Sequence, residues 1–293
     1  MVPQKHLGRI NGLTYFLIIL AQLFAPVYSA LLYNDFPLFQ SLLVMVVVSG
    51  ITLIPLFLIN IPQTKNLNLK TEDHKGDSFI VHFFKQFVEG FRTIKIIPGI
   101  LILIGAVLIL EYVNISFSIF LPIFIIGVHG GSVLLYSIIY TISFLGVVVG
   151  SIVFVIRKYW NPVLILFFLS MIFIFLANLV FILAPYQAYS LMLFANFVKG
   201  FLFVFIYSMF PTFIQSNVPN NRLGRVSAIN FFLTSLIIPF APLQIGLIYE
   251  VISDIRLTLL LFSIIGIISI IALYIVARIT KIKYRDYKVL DSI

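Results

Sequence analysis

The 293-residue chain has no cysteine, so no disulfide, thiolate metal site or cysteine nucleophile can be built from it, and the redox compartment leaves no mark. Charge is scarce as well: 10% of residues are Asp, Glu, Lys or Arg, against about 25% in an ordinary soluble domain. Histidine is limited to His6, His74, His82 and His129, all in predicted loops. What fills the space is apolar, 61% of the residues. That balance excludes an ordinary soluble domain and marks a membrane protein.

A helix crosses a bilayer with about 20 apolar residues. Runs of that length fall roughly over 14–33, 38–60, 98–124, 132–156, 163–184, 190–213, 226–249 and 257–277, which predicts an all-α membrane protein with eight transmembrane helices. The first run follows Lys5 and Arg9 as a signal peptide would, but it exceeds the usual apolar core of about 7–15 residues. The net charge of +9 invites a nucleic-acid reading, and its distribution opposes one. Of the 19 Lys and Arg residues, 17 fall in loops on one face; Arg256 alone falls on the other, and Lys199 lies within a span. By the positive-inside rule both termini are cytoplasmic, the protein is multi-pass, and its basic residues anchor it in the lipid bilayer of the cell membrane.

The opening of the chain is repeated near its end. Without a gap, residues 2–34 agree with 218–250 at 13 of 33 positions, among them Val2, Pro3, Leu7, Gly8, Arg9, Ala25 and Pro26 against Val218, Pro219, Leu223, Gly224, Arg225, Ala241 and Pro242. Shared apolar composition does not place Val-Pro, Leu-Gly-Arg and Ala-Pro at one offset. A long repeat of this kind in a transporter-like chain implies two halves related by an axis along the membrane normal.

On "VPNNRLGRVSAI", "APLQIGLIYE" and "FVEGFRTIKIIPGI" the chain resembles the major facilitator superfamily, and within it the drug-efflux members of macrolide-efflux type. The resemblance implies a twelve-helix fold of two six-helix halves, with the eight spans equivalent to helices five to twelve. Residues 1–60 are then a remnant of the first half with helices five and six, 61–97 a cytoplasmic linker ending in an amphipathic helix, 98–278 a complete second half, and 279–293 a basic cytoplasmic tail. The 120 residues from Pro98 to Asn217 have a first-half counterpart, helices one to four, to be expected upstream, in a neighbouring reading frame, or on a separate chain. The function implied is efflux of small amphipathic drugs or metabolites by alternating access. The alternative is a non-transporting fragment or one subunit of a split transporter.

Within the linker, Ile80, Phe83, Phe84, Phe87, Val88, Phe91 and Ile94 recur at helical spacing, opposite His82, Lys85, Gln86, Glu89, Arg92 and Lys95. This stripe suits either the membrane interface or the cytoplasmic mouth of the protein. Gly146 and Gly150 have the spacing that lets helices approach closely. Pro26, Pro55, Pro122, Pro239 and Pro242 fall within spans, where proline bends a helix. Gly8, Arg9, Gly224 and Arg225 form the repeated turn, with the arginines as anchors of helix ends. The family's charged turn after the eighth helix is matched weakly by "GSIVFVIRKYWNPV", which keeps Gly150, Arg157 and Lys158 but has no Asp, so a gating ion pair is not expected there.

Glu111 and Lys199 are the charges at membrane depth, each costing about 2.5–3.5 kcal/mol at a helix centre exposed to lipid. They must face protein or water. Counting from the cytoplasmic ends at about 1.5 Å per residue puts both about 20 Å deep, at one level. Asn114 and Ser118 share a face with Glu111, and Asn196 shares one with Lys199. These five are the candidates for contact with a small-molecule substrate or for proton coupling; the competing reading is a structural ion pair between helices seven and ten. Asn178 is expected to make a packing hydrogen bond. The spans hold no His, no Cys and no second carboxylate near Glu111, so no catalytic residue, metal or cofactor site is expected.

Overall fold

A computed structural model of the chain describes residues 10–23 apart from 12 and 21, 37–58, 88, 90–92, 94, 99–157, 160 and 162–280. The described residues of 10–23 are helical and make up helix α1. It is followed by α2 (Leu38–Leu58), α3 (Ile100–Ile123), α4 (Val133–Ile156), α5 (Val163–Ile182), α6 (Tyr189–Asn217), α7 (Asn220–Ile252) and α8 (Ile255–Ile279). The described residues fall into two compact units, one of 24–85 containing α2 and one containing α1 and everything from residue 86 onward.

Among the described residues six helices are long and apolar enough to cross a membrane: Ile100–Val128, Val133–Ile156, Val163–Ile182, Tyr189–Asn217, Arg222–Ile252 and Ile255–Ile279. Of the two remaining predicted crossings, 38–60 corresponds to α2, in which Leu42–Ile54 is a shorter apolar stretch. The other, 14–33, continues beyond the described residues after residue 23.

Local chemistry sets the ends of these helices. Ser132 Oγ accepts from Leu135 N at 3.1 Å and caps α4, and Asp254 Oδ1 accepts from Leu257 N at 3.1 Å and caps α8. Gly99, at φ 86°, takes the left-handed turn that opens α3. Pro122 in α3 has no N–H to give to Ser118 O, and the chain beyond it widens into a π turn over Phe124–Val128. The outward faces carry Leu134, Ile152, Phe173, Phe231, Leu243 and Ile268, all exposed, a surface as apolar as lipid tails.

Helix α6 packs on α4 and α5, α5 packs on α8, and both α7 and α8 pack on α3. The α4–α6 contact is the closest, and glycine makes it so. A Cβ on Gly146 would strike Phe197 O, one on Gly150 would lie 2.6 Å from Phe201 O, and one on Gly200 would strike Ser143 O. Gly146 and Gly150 therefore serve packing, as their spacing predicts, and Gly200 supplies the answering gap on α6.

Residues 88, 90–92 and 94 are helical. Gly90 sits against the Ile229 side chain of α7, Ile94 is buried, and Val88 is exposed. This end of the predicted amphipathic helix packs on protein; its earlier part, 80–87, lies outside the described residues. The same holds for the 61–79 linker, the 281–293 tail, and Gly8, Arg9 and Pro26 of the repeat.

Candidate functional site

Helix α1 lies against α6 along one stripe. Asn11 Nδ2 donates to Thr212 Oγ1 at 3.0 Å and to Gln215 Oε1 at 2.9 Å, and one turn on, the Tyr15 ring stacks on Tyr207 with centroids 5.1 Å apart. Another turn brings Ile19, buried. These residues stand four apart, the spacing that keeps side chains on one helix face. Tyr15 begins the wall of a half-open cavity of about 300 Å³. Its wall takes Ile18, Ile19 and Gln22 from α1, Asn114, Phe117, Ser118 and Leu121 from α3, Tyr140, Ser143, Phe144 and Val147 from α4, and Asn196, Lys199, Gly200, Phe203 and Tyr207 from α6.

Four of the five predicted substrate candidates, Asn114, Ser118, Asn196 and Lys199, line this cavity. Asn196 Nδ2 donates to Ile139 O at 3.2 Å and so ties α6 to α4, while Ser118 Oγ donates back to Ile115 O at 2.8 Å. Asn114 gives no side-chain hydrogen bond to a described residue and opens on the cavity.

Glu111 and Lys199 do not meet. Tyr207 Oη donates to Glu111 Oε1, whereas Lys199 Nζ stands 4.2 Å from the centroid of the Phe117 ring. The sequence places the two charges at one level because it counts residues from assumed helix ends. The actual antiparallel register sets Glu111 against Tyr207 and Phe117 against Lys199, a separation of six residues on α3 and eight on α6, or about 9–12 Å along the axes. A structural ion pair between α3 and α6 is therefore absent among the described residues. Glu111 is not part of the cavity wall and reaches it through Tyr207.

Lys199 is 7% exposed and has no carboxylate partner among the described residues. Contact with a ring face is worth about 2 kcal/mol when desolvated. The cost of a lysine at the centre of a membrane helix is about 2.5–3.5 kcal/mol. Phe117 thus offsets much of the cost.

A second polar cluster closes the opposite end of the spans. His129 is fully buried in the turn after α3, its Nε2 lying 3.3 Å from Arg256 Nη2 at the start of α8. Tyr189 Oη donates to His129 O at 2.6 Å, and the imidazole stacks on Tyr186 and meets the Phe124 ring. With Nε2 accepting from the guanidinium, the ring proton sits on Nδ1, which is buried without a partner. Burial first, and the Arg256 charge second, hold the imidazole below its usual range. Arg256, the one basic residue predicted for this face, is thus engaged with the turn that α8 covers.

The remaining predicted features separate. Gly224 is exposed, and a Cβ there would meet nothing within 4 Å. Arg225 is half-buried beside Gly90, in the second turn of α7. Arg157 stacks on the Trp160 ring at 4.6 Å, and Trp160 Nε1 donates to Phe154 O at 3.2 Å. Asn178 does not make the full packing hydrogen bond expected of it, since its Oδ1 is buried with no partner among the described residues. Sequence reasoning overlooked Tyr15, Tyr140, Phe117 and Tyr207. For the tyrosines a signal exists: Tyr207 stands eight residues, about two turns, from Lys199, and a tyrosine in a span needs a partner for its hydroxyl.

The family profile of the Major Facilitator Superfamily matches residues 1–242. None of the curated proteins compared with the chain matches it. With six apolar helices of membrane-spanning length among the described residues, the chain belongs to the major facilitator superfamily and is a multi-pass membrane transporter.

Proposed function

We propose that this transporter exports small amphipathic compounds across the cell membrane by alternating access, with the Lys199 cavity as the substrate site. The observation that carries the reading is a cavity at membrane depth whose wall combines a buried ammonium, carboxamides and hydroxyls with the rings of Phe117, Phe144 and Phe203. Guests with an apolar body and one polar end suit such a wall. Export and the drug-efflux assignment follow the sequence resemblance, and the cytoplasmic termini follow the basic loops.

The internal repeat supports assigning α1 and α2 to helices five and six and α3 to α8 to helices seven to twelve. On this assignment helices one to four come from sequence outside these residues or from a separate chain, and the assembled transporter includes them. The assay is efflux of a fluorescent amphiphile from vesicles, with and without a coexpressed four-helix segment, comparing the native chain with Lys199→Met. Faster efflux from the native chain in either format, reduced by Lys199→Met, is the expected result. Equal leakage from native and variant vesicles in both formats would remove the Lys199 cavity as the transport site.

A further inference from the structure

We propose that the cavity selects organic anions: compounds of one or two rings carrying a carboxylate or similar group, which Lys199 Nζ receives. The inference rests on the substrate-site reading above and adds the sign of charge to it. Its basis is an imbalance within the cavity wall. Lys199 is the one Lys, Arg, Asp, Glu or His among the described lining residues, and it has no carboxylate partner among the described residues. Glu111, the carboxylate nearest in sequence pattern, is kept out of the wall and occupied by Tyr207 Oη. A cationic guest would meet an ammonium and no counter-charge. An anionic guest would supply the charge that Lys199 lacks.

Other donors on the cavity wall agree with this assignment. Tyr15, Tyr140 and Asn114 face the cavity, and none of the three gives a side-chain hydrogen bond to a described residue. Hydroxyl and carboxamide donors grouped with a lysine suit a carboxylate, which accepts several hydrogen bonds and donates none. Phe117 presents its face to Lys199 Nζ, and Phe144 and Phe203 complete an apolar wall for the body of the guest. A volume of about 300 Å³ lies at the small end of ligand pockets and fits one or two rings.

The test is equilibrium dialysis of radiolabelled 2-naphthoate against the purified full chain in lipid nanodiscs, beside the near-isosteric 2-naphthamide and 2-naphthylmethylamine. Naphthoate should bind at least about tenfold tighter than either analogue, the factor expected of one charge-assisted hydrogen bond in a partly solvated site. Lys199→Gln should abolish the preference and Lys199→Arg should keep part of it, with size exclusion reporting that each variant is folded. The wild-type comparison stands even if a variant does not fold. Equal or tighter binding of the amide or the amine, no binding of any probe, or a preference that survives Lys199→Gln would each overturn the inference. Binding at equilibrium requires no translocation, so a chain that binds naphthoate and moves nothing contradicts the transport reading alone. A chain that exports the amine and ignores naphthoate contradicts this inference alone.

Discussion

Tyr207 on α6 donates its hydroxyl hydrogen to the carboxylate of Glu111 on α3, and the same ring stacks on Tyr15 of α1 at 5.1 Å. One side chain therefore joins three helices below the cavity and satisfies the carboxylate that the sequence singles out. Removing the hydroxyl leaves a buried acceptor unpaired, at a cost of about 1–3 kcal/mol. Tyr207→Phe should lower thermal stability in detergent accordingly. Glu111→Gln, whose amide oxygen still accepts, should change it by less than about 1 kcal/mol.

The separation of Glu111 from Lys199 makes a second prediction. Sites further apart than about 7–10 Å, with no shared partner, add their effects within about 0.5 kcal/mol. The unfolding free energies of Glu111→Gln and Lys199→Met should sum to that of the double variant. A double variant more stable than the sum by over about 1 kcal/mol would mean that the charges pair after all.

The close contact of α4 with α6 depends on the absence of a side chain at Gly200. Gly200→Ala places a methyl against Ser143 O, which is backbone and cannot turn aside. Overpacking of this sort costs typically about 1–3 kcal/mol. Yield of monodisperse protein should fall sharply. Gly246→Ala, at a position with nothing within 4 Å, should leave yield unchanged or raise it.

His129 links stability to pH. Its folded-state affinity for protons is below the unfolded value, held down by burial and then by Arg256, so the unfolded chain binds more protons in acid. The contribution is fully present above the unfolded value of about 6.5 and is lost as pH falls below it toward the folded value. Groups facing the imidazole are Arg256 from α8 and Tyr186 ahead of α6, while Tyr189 Oη binds the His129 backbone carbonyl. Melting temperature measured between about pH 7.5 and 5.5 should fall with acid in the native chain and fall less in His129→Gln. The same slope in both would assign the acid sensitivity to other groups.

How far the sequence leads depends on what each feature needs. Spans announce themselves by length and apolarity alone, so α3 to α8 are legible in "ILILIGAVLIL" and its successors to within a few residues. The spacing of Gly146 and Gly150 announces a close approach, because only a missing side chain lets backbones meet. Four cavity residues are legible because polar groups at membrane depth are costly and must face something. What sequence does not carry is register between helices. Glu111 and Lys199 look level when counted from estimated ends, yet a shift of two turns sets one against Tyr207 and the other against Phe117. Phe117 is hidden for a related reason: it reads as ordinary core until Lys199 is placed over its ring. His129 reads as a loop residue, and only the packing of α8 over the turn buries it.

The most direct test uses the absence of native cysteine, since Ser118→Cys gives a chain with a single thiol on the cavity wall. Oriented vesicles, with helices one to four supplied as in the efflux assay, would be treated with a membrane-impermeant maleimide from one side at a time. An alternating-access cavity predicts labelling from both sides, with Ile268→Cys on the apolar outer face of α8 unlabelled from either. Labelling of Ser118→Cys from one side only, or from neither, would contradict the account.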